Sequence, residues 1–394
     1  MNELIVDLRS ERFEQDRYGY IEELRAHNSW ARTTEGAVVF FNQEEAMEVF
    51  RCKDFRFAFN KIDETRSPYL AKAIQHELLN MHGEQHKRLS LLVKKALRDR
   101  VVEGLRDHIE IIVAGLIEAL PQDGEADFCA SFADPLPSRV MGPMFDIPYE
   151  EAEGLNDWIK IGGRKIDALQ SGIGLKEVED ANRNIHEYMR DLLQARKSKP
   201  GDDLFNELIN VEIDGDKMTE DELVYLASEL ASAGVDTTRA QLPLILNALL
   251  SNPKELEKLQ DDPGLALPAV NEGMRYAPLP WVIPHSAVRD FNYKDIDFAS
   301  GDIAFAMVPA ANRDPTVIED PNTFDITRKP ARHFAFGAGM HSCPAAHLAR
   351  IEMATALGQL VSSFEIIESA GQPVWEPGQK DRTLQTLPLK LRKK

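Results

Sequence analysis

Cysteine is scarce in this 394-residue chain, which holds only Cys52, Cys129 and Cys343. Three widely spaced thiols cannot build a disulfide framework, and an odd count fits a reducing compartment. Positive charge is also short: 46 Lys and Arg face 65 Asp and Glu, a formal charge of −19. Phosphate backbones need clustered cations, so a nucleic-acid partner is not expected. No run of 18 apolar residues occurs, and Met1-Asn2-Glu3-Leu4-Ile5-Val6-Asp7-Leu8-Arg9 lacks a basic segment followed by an apolar one. These absences predict a cytoplasmic protein with no membrane anchor. Gly and Pro are scattered, with no linker, repeat or low-complexity tract, so a single domain over 1–394 is expected.

Helical periodicity dominates beyond short strand-like runs such as Gly36-Ala37-Val38-Val39-Phe40-Phe41. Asn42 with Glu45 reads as a variant capping box opening a helix through Phe50. Val101, Leu105, Ile109, Ile112, Leu116 and Leu120 mark one core-facing helix. The strongest helix start is Thr219 with Glu222 as a capping box, Met218 and Leu223 stapling it. Its pattern runs to Asn252-Pro253, with a kink expected near Pro243.

Phe336-Gly337-Ala338-Gly339-Met340-His341-Ser342-Cys343-Pro344 precedes another helical pattern, Leu348, Ile351, Ala354, Leu357, Leu360, Val361 and Phe364. Pro344 suits the first helical position, which makes Cys343 the expected N-cap. There the helix dipole and free N–H groups would favour thiolate. Gly337 and Gly339 permit a sharp turn and close approach to a bulky planar group. Taken alone, such a cysteine is more often a small buried hydrophobe. A zinc site of His341, Cys343 and His347 lacks a fourth ligand, and Ser342 breaks a dinucleotide-binding glycine pattern.

Two further constellations carry chemistry. Within the long helix, Ala233-Gly234-Val235-Asp236-Thr237-Thr238 places a glycine and hydroxyls where the hydrogen-bond ladder is expected to open. An acid beside a hydroxyl can serve proton transfer: Thr237 can hold a water, and Asp236 can relay protons from solvent. Alternatively, this is an incidental polar patch. Glu272 and Arg275 lie at i and i+3 and can pair, and Arg328 follows downstream; the bland alternative is an exposed pair of little energetic weight.

Together these residues resemble the cytochrome P450 family. Phe336, Gly339, His341 and Cys343 match its haem-binding loop, F-x-x-G-x-H-x-C-x-G; residues 233–238 match A-G-x-D/E-T-T; Glu272, Arg275 and Arg328 resemble its E-x-x-R plus arginine triad, which locks the loop before the cysteine. The resemblance runs from about residue 80 to the end and includes Ala311-Asn312-Arg313-Asp314-Pro315. It implies a mainly α helical prism with a smaller β region, and haem b (iron protoporphyrin IX) on Cys343, as is general for that family. The expected activity is O2-dependent hydroxylation or oxidative dealkylation of a small hydrophobic or aromatic substrate. A peroxide-driven peroxygenase and a non-enzymatic haem-thiolate gas sensor or ligand-binding protein are the alternatives.

The resemblance also assigns supporting roles. His341 and His86 match propionate-binding positions. The family's arginine four residues after His86 is Ser90 here, and its strand arginine is His285, leaving Arg88 as a substitute cation. Ala345 replaces the usual glycine, so a slight displacement of the following helix is expected. Ala233, Trp281, Val282 and Ile283 fall at substrate-contact positions, and 57–81 with 147–197 form the expected lid. Electrons are expected from a ferredoxin or flavodoxin with its NAD(P)H reductase, landing on Lys94, Lys95, Arg98, Arg100 and Arg350; a solvated helical face is the alternative.

Overall fold

A computed structural model describes residues 4–57, 64–97, 99–201, 203–376 and 383–394, without the side chains of Asp99, Arg100 and Gln170. The chain is 58 % helical, so the architecture is mainly α, and its sheets are peripheral to the helices. The helices around the site are α1 (Pro68–Gln75), α2 (Gly83–Ala96), α3 (Arg106–Ala119), α4 (Pro135–Phe145), α5 (Tyr149–Gly162), α6 (Lys165–Ser171), α7 (Leu175–Ser198), α8 (Glu220–Ser251), α9 (Ala266–Tyr276) and α10 (Ala346–Ser363). Among the described residues no helix is long and apolar enough to cross a membrane.

α8 begins as its sequence dictates: the Thr219 side chain accepts from the Glu222 N–H at 3.3 Å, and Glu222 accepts from the Thr219 N–H at 2.9 Å. Its 32 residues span roughly 48 Å. Leu242, Ile245 and Leu249 of α8 pack in one apolar cluster with Ile109, Val113 and Leu116 of α3 and Leu357, Leu360 and Val361 of α10. Burying such faces is the main source of helix stability here. α8 continues through both Gly234 and Pro243, so the expected opening of the ladder at 233–238 does not occur. The Thr237 hydroxyl donates to the Ala233 carbonyl at 2.7 Å and competes with the ladder without breaking it.

Two shorter expectations are corrected. The helix after Asn42 forms over Gln43–Arg51, but Asn42 makes no side-chain cap bond, and the Glu45 side chain accepts from Lys294 at 2.8 Å in place of closing the box. The 101–120 pattern is split into Asp99–Gly104 and Arg106–Ala119.

The larger sheet runs Ile5–Val6, Trp30–Thr33, Val38–Phe40, Ile303–Met307, Val282–Ala287, Phe55–Phe57 in spatial order. Its last pair sets His285 opposite Phe57. A three-stranded sheet joins Phe364–Ser369, Pro388–Lys393 and Asp123–Asp127.

Arg275, with its side chain 1 % exposed, ties α9 to the segment that leads to Cys343. Its guanidinium donates to both Glu272 oxygens at 2.7 and 2.8 Å and to the carbonyls of Asn312 (3.1 Å), Pro321 (2.7 Å) and Thr323 (3.0 Å). All five donors are therefore used. Glu272 also accepts from the Asp325 N–H at 3.0 Å and from Arg328 at 3.3 Å. Removing one partner of such a buried pair strands the other's charge, so Glu272→Ala is expected to cost about 3–5 kcal/mol in urea unfolding. A loss below about 1 kcal/mol, the value of an exposed pair, would contradict this account.

Candidate functional site

The loop before α10 is built outward from that ion pair. Asn312 is fully buried; its amide donates to the Arg275 carbonyl at 3.2 Å, and its side-chain oxygen accepts from the Phe334 N–H at 2.8 Å. Phe334 stacks on Phe50, with ring centroids 5.5 Å apart. From there Gly337 donates its N–H to Phe334, and Cys343 donates its own to the Phe336 carbonyl at 2.9 Å. Gly337 and Gly339 sit at φ +64° and +67°, and a Cβ on Gly339 would overlap the Phe50 carbonyl oxygen. The loop thus needs glycine for conformation and for clearance.

Cys343 does not cap the helix. Residues Gly339–His341 form a 3-10 turn, Pro344 and Ala345 form a further turn, and α10 starts at Ala346 with Ala345 as its N-cap. Ala345 has φ −95°, which any L residue adopts, so replacing glycine there imposes no strain. Burial pushes the Cys343 thiol up, and the Ala345 N–H bonded to the sulfur, with the Arg350 charge, pulls it back down. The dipole alone therefore does not make a thiolate; a bound cation would.

Four imidazoles gather beside the loop. His341 lies 4.3 Å from His86 and 5.8 Å from His82, ring to ring, while His285 packs edge-on to Phe57 and Phe50. Burial depresses all four, His341 to about 3 and His285 to about 4, with neighbouring imidazoles adding to the effect on His341. Both nitrogens of His341 and Nδ1 of His82 and His86 are buried without a partner. Buried polar atoms are rarely left so, and these neutral donors suit the carboxylates of a ligand. Together with the Cys343 thiol, these ring nitrogens fit an acidic, flat, metal-centred group such as haem, and Ala345, two residues after the thiol, shares a cavity with Gly234 of α8.

Several expected residues sit elsewhere. Arg88 is tied to Asp216 at 3.2 Å and to Glu222, so it cannot substitute for a propionate cation. Trp281 packs on Phe13 and Tyr18 with the Arg17 guanidinium 4.9 Å from its ring, in the N-terminal apolar cluster and not in the cavity wall. Its neighbours Val282 and Ile283 are half-buried strand residues. Arg350 lies over the Phe336 ring at 4.4 Å and donates to Asn271, which takes it out of any basic patch. Lys95 donates to the Glu212 carbonyl at 2.7 Å; Arg98 and the side chain of Arg100 lie outside the described residues. His347 binds Glu103 at 3.1 Å, away from the role of a zinc ligand.

Ala233 and Thr237 are exposed on a helix that is otherwise largely buried, and Asp236 accepts from Arg239 at 3.0 Å. Burial raises the Asp236 carboxyl and Arg239 opposes it. The lid candidates α1, α6 and α7 meet through Leu70, Ile74, Ala168, Leu169 and Val178; residues 58–63 lie outside the described residues. Sequence reasoning missed Asn312, though it stands in a quoted motif, and Glu352, whose oxygen Oε2 is unpartnered. Glu352 lines the same cavity, and burial pushes its carboxyl up to about 8.

The family model described as cytochrome P450 matches residues 171–263 and 265–392. Polyketide biosynthesis cytochrome P450 PksS of Bacillus subtilis (strain 168) is 34 % identical over 81 % of this chain and 79 % of its own length. Cytochrome P450 monooxygenase PikC of Streptomyces venezuelae is 31 % identical over 86 % of this chain and 81 % of its own. Among solved structures, P450BioI in complex with hexadec-9Z-enoic acid ligated acyl carrier protein superposes with a TM-score of 0.89 at 27 % identity, covering 97 % of this chain and 100 % of that one.

Gly339→Ala, which must displace either Phe50 or the loop, is expected to lower the haem-to-protein ratio after reconstitution severalfold. Wild-type loading in that variant would show that the loop does not set the site.

Proposed function

The chain belongs to the cytochrome P450 family and is a haem-dependent monooxygenase; from that premise we propose that it inserts one oxygen atom of O2 into a C–H bond of a small hydrophobic molecule, by hydroxylation or oxidative dealkylation. The observation that carries this reading is the course of the Cys343 loop, anchored through Asn312 to the buried Glu272–Arg275 pair and leading into Ala345, which shares a cavity with Gly234 of α8. The aromatic preference rested on Trp281, which packs away from the cavity, so the reading keeps only an apolar substrate. Similarity to an enzyme named for polyketide biosynthesis supports a hydrophobic biosynthetic intermediate.

Haem b, when bound, supplies the redox chemistry that activates dioxygen. Cys343 holds it by sulfur, with the Ala345 N–H and Arg350 favouring the charged form. His341 and His86 present unpartnered ring nitrogens to the propionates, with His285 beside them, and Phe336 and Gly337 shape the loop. Glu272, Arg275 and Arg328 act structurally. On the other side, the exposed Thr237 hydroxyl would hold a water, and Asp236 would relay protons to it from solvent. Ala233, Val282 and Ile283 contribute apolar wall, and α1, α6 and α7 cover it. Electrons arrive singly from a ferredoxin or flavodoxin with its NAD(P)H reductase, with Lys94, Lys95, Arg98 and Arg100 as cations of the docking face.

The test uses a hydrophobic compound chosen because it shifts the Soret band. With it, Thr237→Ala is expected to keep oxidising NAD(P)H while product per NAD(P)H falls about tenfold or more and hydrogen peroxide accumulates. Unchanged coupling would remove the proton-delivery role.

A further inference from the structure

Asp236 does not stand alone. Its oxygen Oδ1 accepts from Arg239 Nε at 3.0 Å, Arg239 Nη1 lies 3.6 Å from Asp134 Oδ1, and Asp134 Oδ2 lies 3.2 Å from Lys160 Nζ. The four side chains are 27–35 % exposed, so every member of the series is partly buried and partly reachable by solvent. It alternates in sign and crosses three pieces of chain: α8, the residue that ends the π-helical turn Cys129–Ala133, and α5. Gly163, at the α5–α6 junction, closes the opposite side, where any side chain would overlap Asp236 Oδ2. The carboxylate is thus held from both sides, by a guanidinium on its own helix and by bare backbone across from it.

We infer that Arg239, steadied by Asp134, is the positioning residue of the proton relay, fixing the orientation and ionisation of the Asp236 carboxyl. This rests on the reading of Asp236 as the relay group. The physical reason is a balance. Burial disfavours the carboxylate, Arg239 is the largest influence restoring it, Lys165 on α6 helps, and Asp134 works against it. Arg239 itself feels Asp236, Asp134 and Glu376. A relay must ionise and reprotonate within each turnover, so its carboxyl has to sit where both forms are within reach. The pair also aims the group: one oxygen is committed to Arg239, which leaves Oδ2 to exchange protons. The signal was present in the sequence as an acid and an arginine at i and i+3 on one helix face.

The experiment is done on the holoenzyme. The infrared carboxyl band of Asp236 is assigned by its loss in Asp236→Asn and titrated in wild type, Arg239→Gln and Arg239→Lys. Coupling to product is followed over the same pH range. Loss of an adjacent opposite charge raises a carboxyl, so Arg239→Gln is expected to move the infrared midpoint up by about one pH unit, with the coupling midpoint following it. Arg239→Lys, which keeps the charge, moves both by less than half as much. An unmoved infrared midpoint in folded, haem-loaded Arg239→Gln overturns the inference while leaving Asp236 as relay, provided Asp236→Asn uncouples. Wild-type coupling in Asp236→Asn overturns the relay reading, and this inference with it.

Discussion

Five hydrogen bonds from one buried guanidinium govern where the reactive sulfur lies. Arg275 spends two donors on Glu272 and three on the carbonyls of Asn312, Pro321 and Thr323. Each of those carbonyls belongs to chain that would otherwise be irregular and free to shift. Asn312 then hands the constraint on, binding the Arg275 carbonyl with one end and the Phe334 N–H with the other. Phe334 begins the loop, the glycines bend it, and the Cys343 N–H closes it on Phe336. A charge pair of this kind contributes little net stability against an apolar substitute, but breaking it is expensive, and that asymmetry makes it a device for specificity of conformation.

The opposite wall follows a different logic. α8 is continuous and buries an apolar face along most of its length, with Asp236, Thr237 and Arg239 placed midway along it. Thr237 turns its hydroxyl onto the Ala233 carbonyl, whereas Asp236 faces the α5–α6 junction and the charges gathered there. One helix therefore offers an apolar wall, a hydroxyl and a charged exit, separated only by its own pitch. The histidines beside the cysteine loop form a third region, unusual in that burial disfavours their charged forms and ring nitrogens of His82, His86 and His341 lack a partner. They offer hydrogen bonds in place of charge, which makes the retention of an anionic ligand depend on geometry more than on ion pairing.

Local signals survived folding where they involved neighbours in sequence. The capping box of α8, its full extent and the i, i+3 pairing of Glu272 with Arg275 are all legible because the partners are a turn apart. The failures share one cause, competition from residues distant in sequence. Arg88 was claimed by Asp216 and Glu222, Glu45 by Lys294, Trp281 by the N-terminal helices and Arg350 by Phe336 and Asn271. The N-cap expectation for Cys343 missed by two residues, because Pro344 and Ala345 form a turn before α10 begins at Ala346. Conversely, the buried acid Glu352 could not be seen at all, since nothing in its neighbourhood of the sequence says that it lines a cavity with Gly234.

The most direct measurement of the central claim is the absorption spectrum of the reduced protein with carbon monoxide. Ligation of haem iron by the Cys343 sulfur predicts the red-shifted Soret band characteristic of thiolate. A band at the shorter wavelength of histidine-ligated haem, in protein shown to be folded, would contradict it.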